Sequence, residues 1–513
     1  MCVLLFVLNS KNMKRTLFGL IFCALTLSNV SAQTYELPRS TPEEQGVPSS
    51  AVAELFDSLS ALPLTDMHAV VVMRHGKVIG EMYPKPYAPE YRHTLYSCSK
   101  TFVGIAVGLA IADNRLRLDD RVAAFFPELL PDYVSKDLAD MKVRHLLTMA
   151  SGVKPDWNMR SRGKEWIRTF LSKPVVAPGT KYAYDSMVSY MLAAIVQKVT
   201  GKKLTEYLQE RVFTPMNVTE WAWEESPEGV NTGGWGVHIQ PESLAKFGQL
   251  ILDEGRWNGK QLVPAEWIRE MCKKHQETGR EVYGYHIWHC GGHDGAVRAD
   301  GALGQYVISI LDKDMVVVMT EATLGNGRDQ RRLIWDVLLP TIKDEPLPPN
   351  KKDYQLLQKK QAAYKLPEVK GKATSAFASN WENKTTELGK NPFGWKSLRL
   401  NFGKKEVTMT ITENSGKSYE LPFGYKEWKT TSMDAYPPYS ITPVDRFKGL
   451  EGPYWVSGSY AWTSKEEVQL KAHYVNWVSA LEMTFRLVNG EVELHVQTNY
   501  IKKPYSIKGK FLQ

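Results

Sequence analysis

The chain has 513 residues, 43% of them hydrophobic and 23% charged, and carries a formal net charge of +8. Such a length exceeds one compact core and predicts two or three folded units, and the apolar fraction is that of an ordinary globular protein rather than a disordered one. Lysines and arginines are dispersed along the chain without an accompanying aromatic module, which speaks against a nucleic-acid partner, and five cysteines are too few for a disulfide-built scaffold.

At the N-terminus, Lys14 and Arg15 precede the apolar run Leu17 to Leu27, and Val30-Ser31-Ala32 supplies the small residues of a cleavage site. Residues 1–32 read as a signal peptide, so export to the periplasm or the exterior is the expected localisation. The run falls short of the ~20 apolar residues of a spanning helix, and no stable membrane anchor is expected. Cleavage would remove Lys11, Lys14 and Arg15 and no acidic residue, lowering the charge from +8 to +5 and leaving Cys98, Cys272 and Cys290.

Residues 33–343 alternate strand-like and helix-like segments. HAVVVMRHGKVIGEMY predicts two strands joined by the turn Arg74 to Lys77. Helical patterns prevail from Lys100 to about Met271, among them SYMLAAIVQKVTG ending at Gly201 and SLAKFGQLILDEG ending at Gly255. Strands return in GQYVISILDKDMVVVMTEA around the turn Leu311 to Asp314, and RDQRRLIWDVLLPTI closes the unit with a helical segment. Strands at both ends with helices between them predict an α+β fold, one antiparallel sheet assembled from the two termini with a helical insertion beside it. Residues 344–369, rich in proline and lysine, read as a linker with a short helix. In residues 370–513 the period changes to two: Leu398, Leu400 and Phe402 alternate, as do Val407, Met409 and Ile411, and Asn489-Gly490 joins two further alternating runs. A separate C-terminal antiparallel, barrel-like β domain is expected there.

The chemistry concentrates in YSCSKTF, residues 96–102. A serine hydroxyl needs a base beside it and donors where negative charge develops. If Ser97 opens the apolar helix that follows, Lys100 lies one turn later on the same face, within reach of the hydroxyl. Cys98 falls on the wrong side of that helix to use Lys100. Ser-x-x-Lys alone is also an ordinary capping pattern, but VGIAVGLAIA must be buried on several faces and draws a first-turn lysine inward with it. HIWHCGGHD, residues 286–294, gathers three histidines, a cysteine and an aspartate; alternating strand geometry would put His286 and His289 on opposite faces, so neither a metal nor any cofactor is expected.

With these motifs the chain resembles the serine beta-lactamase and penicillin-binding-protein superfamily, in particular its class-C-like branch of esterases, D-amino-acid peptidases, amide hydrolases and lactamases. The resemblance runs from about Pro38 to Ile342 through three ordered segments: YSCSK, PGTKYAYDSMVSYMLAAIVQKVTGK and GALGQYVISILDKDMVVVMT. It implies Ser97 as nucleophile, Lys100 and Tyr184 as the groups that move its proton, and Tyr184 as a phenol that the lysine cation helps to ionise. The family's Tyr-x-Asn appears as Tyr184-Asp185-Ser186, which makes Ser186 a substrate-binding candidate without the amide. Its Lys-Thr-Gly, aligned through the glycine, appears as Ala302-Leu303-Gly304: the carboxylate-binding lysine is gone, Gly304 would let substrate approach, and the backbone amides of Ser97 and Gln305 would form the oxyanion hole. The implied partner is a small-molecule or peptide-like ester or amide. The alternative is a catalytically silent sensor or cell-wall binding protein, and the sequence leaves the oligomeric state open.

Overall fold

In the computed structural model, which describes residues 37–325 and 327–512, the first hairpin forms where the β-branched run demands it. Strands β1 (Thr65–Arg74) and β2 (Lys77–Met82) pair antiparallel, and the turn residues His75 (φ 50°) and Gly76 (φ 71°) take the left-handed conformation a two-residue hairpin requires. The segment 1–32, read as a signal peptide, lies outside the described residues. The sheet is completed by β3 (Gln276–Glu277), β4 (Val282–Tyr283), β5 (Trp288–His289), β6 (Ala296–Gly301), β7 (Gln305–Ile310) and β8 (Met315–Thr323). Its order is β2-β1-β8-β7-β6-β5-β4-β3, antiparallel throughout, so the N-terminal hairpin and the late strands meet at β1–β8 as the strand pattern predicts.

Both faces of this sheet are covered, which explains why β1 is apolar at successive rather than alternate positions. Val70, Val72, Ile308, Ile310, Val317 and Met319 face helix α1 (Ser49–Ser60), where Phe56 and Leu59 are fully buried. Each such side chain contributes about 1.5–3 kcal/mol by leaving water. On the other face, the helical insertion contains α2 (Ser99–Ala112), α3 (Ser186–Thr200) and α4 (Pro241–Leu252), the last seated on the strands with Gly248 against Val307 and Val316.

The proline- and lysine-rich connection carries α5 (Lys351–Ala363), and this helix is more than a spacer. Its Leu357 joins the core against α1, and Lys360 and the Tyr364 hydroxyl both bond to Asp57. Beyond it lie β9 (Thr385–Leu388), β10 (Trp395–Phe402), β11 (Glu406–Glu413), β12 (Ser418–Gly424), β13 (Lys429–Met433), β14 (Tyr454–Trp462), β15 (Val468–Tyr474), β16 (Ala480–Val488), β17 (Glu491–Thr498) and β18 (Tyr505–Phe511). A parallel pairing of β12 with β14 closes nine of these strands into a barrel, with β13 alongside β14. Asn489 (φ 52°) and Gly490 (φ 80°) form the turn that their sequence announces.

Candidate active site

Ser97 sits in a single 3₁₀ turn, Tyr96–Cys98, that feeds directly into α2. Every residue of α2 from Ser99 to Ala110 is buried, so Lys100 enters the protein interior with its helix and is only 1% exposed. Its amine lies 2.9 Å from Ser97 Oγ, 3.0 Å from Ser186 Oγ and 2.7 Å from the carbonyl of Gly234. Among the described residues no carboxylate bonds to it, and burial lowers its pKa from 10.5 to about 7, with Asp185 only partly opposing the loss of water. The Gly234 carbonyl can only accept, whereas both serine hydroxyls can donate or accept; a neutral Lys100 can therefore hold Gly234 and receive the Ser97 proton at once.

Gly234 must be glycine for this arrangement. A Cβ there would stand 2.5 Å from the Ser186 carbonyl and 2.6 Å from the Ser186 Cβ, forcing the turn away from the amine.

Tyr184 lies on the same side, with Lys100 Nζ 4.7 Å from its ring centroid. Its phenol is pushed up by burial, with the Ser97 hydroxyl opposing the shift. Desolvation thus works against the expected easing of Tyr184 towards phenolate, disfavouring the charged form of both the phenol and the amine. Cys98 points elsewhere, giving its thiol to the Gln305 carbonyl at 3.3 Å, and burial raises its pKa well above the ordinary thiol value.

Ser97 and Tyr184 open onto a cleft of about 620 Å³. One wall is aromatic: the Tyr184 ring centroid is 5.8 Å from that of Trp288, and Tyr182 is 6.1 Å from Trp288. The Tyr182 hydroxyl is buried with no hydrogen-bond partner among the described residues. The other wall is charged. Arg298, its side chain 2% exposed, bonds through Nε to Asp300 at 2.8 Å and through Nη2 to Glu281 at 2.5 Å, and Arg331 flanks both carboxylates at 3.5 and 3.6 Å.

Three predicted site residues take other positions. Ser186 is buried beneath Lys100 and holds its amine, so it orients the base and does not line the cleft. Gly304 (φ 95°) turns towards the buried Glu321, where a Cβ would stand 1.8 Å from Oε1; its glycine serves the turn rather than substrate access. Gln305 is fully buried, its side chain spent on the carbonyls of Ala302 and Glu321, and its backbone pairs with Gly301 across the hairpin. The residue of that turn facing the cleft with Ser97 is Ala302. Among the described residues, and outside the bonds internal to helices and strands, neither the Ser97 nor the Ala302 amide donates to a backbone carbonyl.

The three histidines of HIWHCGGHD diverge. His286 takes φ 58° instead of strand geometry and meets Ser189 Oγ at 2.9 Å, while His293 meets Asp312 at 2.8 Å. Sequence reasoning missed Arg298, Asp300 and the Gly234 carbonyl. The first two left a signal, two charges at alternate positions of an apolar strand; a backbone carbonyl leaves none.

Known proteins share the sequence pattern and fold of this chain. The beta-lactamase family model matches residues 65–339. A 6-aminohexanoate-dimer hydrolase from Paenarthrobacter ureafaciens is 28% identical over 250 residues, covering 45% of this chain and 64% of its own length. A beta-lactamase from Escherichia coli K12 is 25% identical over 280 residues, covering 49% of this chain and 68% of its own. Thus the chain spans about two thirds of the length of these relatives. Among solved structures, a candidate 6-aminohexanoate-dimer hydrolase from Bacillus anthracis shares the fold at a TM-score of 0.51 and 19% identity, over 60% of this chain and 87% of its own.

Proposed function

The chain belongs to the beta-lactamase family, and we propose that it is a serine hydrolase that cleaves an ester or amide bond through an acyl-enzyme on Ser97. The observation that carries this reading is the Lys100 amine, desolvated to 1% exposure and 2.9 Å from the Ser97 hydroxyl.

Neutral Lys100 accepts the Ser97 proton as Oγ bonds to the substrate carbonyl carbon. The oxyanion sits on the amides of Ser97 and Ala302, each worth on the order of 3 kcal/mol in the transition state. As the intermediate collapses, Tyr184, still protonated, donates to the leaving alcohol or amine and is reprotonated from the Lys100 ammonium. Water then attacks the acyl group with the proton movements reversed, returning Ser97 and releasing an acid.

The third motif lacks the lysine that would hold a beta-lactam carboxylate, and the cleft walls offer aromatic faces and a paired arginine instead. A linear ester or amide, of the kind named for the 6-aminohexanoate-dimer hydrolase or found in D-amino-acid peptides, fits this cleft better than an antibiotic.

A panel of a chromogenic ester, a D-amino-acid amide, a short linear amide and a chromogenic cephalosporin tests the reading, together with stoichiometric labelling by a fluorophosphonate. We expect turnover of an ester or linear amide and one label per chain, both lost in Ser97→Ala. Labelling that survives Ser97→Ala contradicts the assignment; binding without turnover of any compound would instead identify a silent sensor.

A further inference from the structure

The barrel domain reaches the hydrolytic centre through one segment, residues 434–453, which runs between β13 and β14. It touches the insertion repeatedly. The Tyr439 hydroxyl donates to Glu224 Oε2 at 3.0 Å, and Ser440 Oγ meets the Tyr96 hydroxyl at 2.8 Å. Elsewhere the Val444 amide donates to the Arg160 carbonyl at 2.9 Å, the Lys448 carbonyl accepts from the Glu225 amide at 2.7 Å, and Asp445 pairs with Lys164 at 3.1 Å. The Lys448 ammonium alone donates to the carbonyls of Ser226 at 3.1 Å and Pro227 at 3.2 Å.

The first two contacts differ in kind from the others, because each continues to a reacting group. Glu224 is fully buried and also accepts from Trp235 Nε1 at 2.8 Å; Trp235 follows Gly234, whose carbonyl holds the Lys100 amine at 2.7 Å. On the other side, Tyr96 precedes Ser97 and is held at φ 46°, a left-handed conformation that a bulky residue keeps only when its surroundings impose it. Tyr96 is buried against Tyr439, ring centroids 6.4 Å apart, and its hydroxyl is fixed by Ser440. Two adjacent barrel residues therefore brace the base and the nucleophile.

We infer that Tyr439 and Ser440 are positioning residues for hydrolysis, and that the barrel domain is a structural part of the active site. Tyr439 acts through Glu224 and Trp235 on Lys100, and Ser440 acts through Tyr96 on Ser97. This inference rests on the proposed role of Ser97.

The test compares full-length wild type with Tyr439→Phe, Ser440→Ala and the double variant, each of which removes only a hydroxyl, and with Lys448→Ala as a docking control. Three quantities are read: the rate constant of fluorophosphonate labelling per active site, kcat and KM separately for an ester the wild type hydrolyses, and the melting temperature. Small displacements of catalytic groups cost rate rather than affinity, so Tyr439→Phe is expected to lower kcat and the labelling rate by about tenfold, with KM within about twofold. Ser440→Ala should lower them by roughly threefold, and the double variant further, while Lys448→Ala keeps the wild-type rate constants. Should Tyr439→Phe not fold, Ser440→Ala carries the test alone. Wild-type rate constants in all variants overturn the positioning role, as does a fall in melting temperature with the rate per site unchanged. A wild type that takes no label overturns the nucleophile instead, so the two failures are distinguishable.

Discussion

Two cations are buried within this cleft, and they are treated in opposite ways. Lys100, 1% exposed, has only neutral oxygen partners among the described residues, and burial lowers its pKa to about 7; Arg298, its side chain 2% exposed, lies between Glu281 and Asp300 and keeps its charge. Burial is the same in both places, so the partners decide the protonation state. At the floor of the site, withholding a carboxylate makes a base; on the wall, supplying two makes a rigid cationic strut.

The largest way to break this comparison is Lys100→Arg, which restores a permanent charge where the site requires a neutral amine. Loss of the general base should cost roughly 10³-fold or more in kcat/KM, within the range for such groups. Tyr184→Phe keeps the ring over Lys100 and removes the acid; a fall of about 10²-fold is expected, larger for an amide than for an activated ester whose leaving group needs no proton. The stability of two substitutions sharpens the contrast. Arg298→Met leaves the two facing carboxylates to the longer contacts of Arg331 and should cost about 2–3 kcal/mol by chemical denaturation, moderated by that second cation and by the openness of both acids to the cleft. Lys100→Met removes a charge the interior already disfavours, at the expense of the bonds to Ser97, Ser186 and Gly234, and should cost less than Arg298→Met, on the order of 1 kcal/mol. Equal destabilisation by both would show that the partners do not matter.

Much of this site was legible because it lies within single elements. Ser97 and Lys100 share a helical face at a three-residue spacing, and the burial of Lys100 followed from VGIAVGLAIA. Tyr184 was found through the family motif. The hairpins at His75-Gly76 and Asn489-Gly490 were visible in their turn chemistry. What failed was register between elements. Aligning the third motif through Gly304 put Gln305 beside Ser97, whereas the turn before β7 presents Ala302 to the cleft and buries Gly304 and Gln305. Ser186 was given to substrate, since nothing in a linear pattern says that the N-terminus of α3 lies beneath a lysine of α2. The reach of residues 439 and 440 to a helix more than 300 residues earlier is a product of barrel docking, and no local pattern encodes it.

The pH dependence of kcat/KM for a neutral ester tests the central claim most directly, since the proton on Lys100 is what the site is built to control. With a pKa of about 7, Lys100 is a competent base above neutrality and is lost as one below it, so the rate should fall about tenfold per pH unit under a midpoint near 7. A rate that stays flat down to pH 5, or that rises only towards the ordinary lysine pKa near 10, would contradict the account.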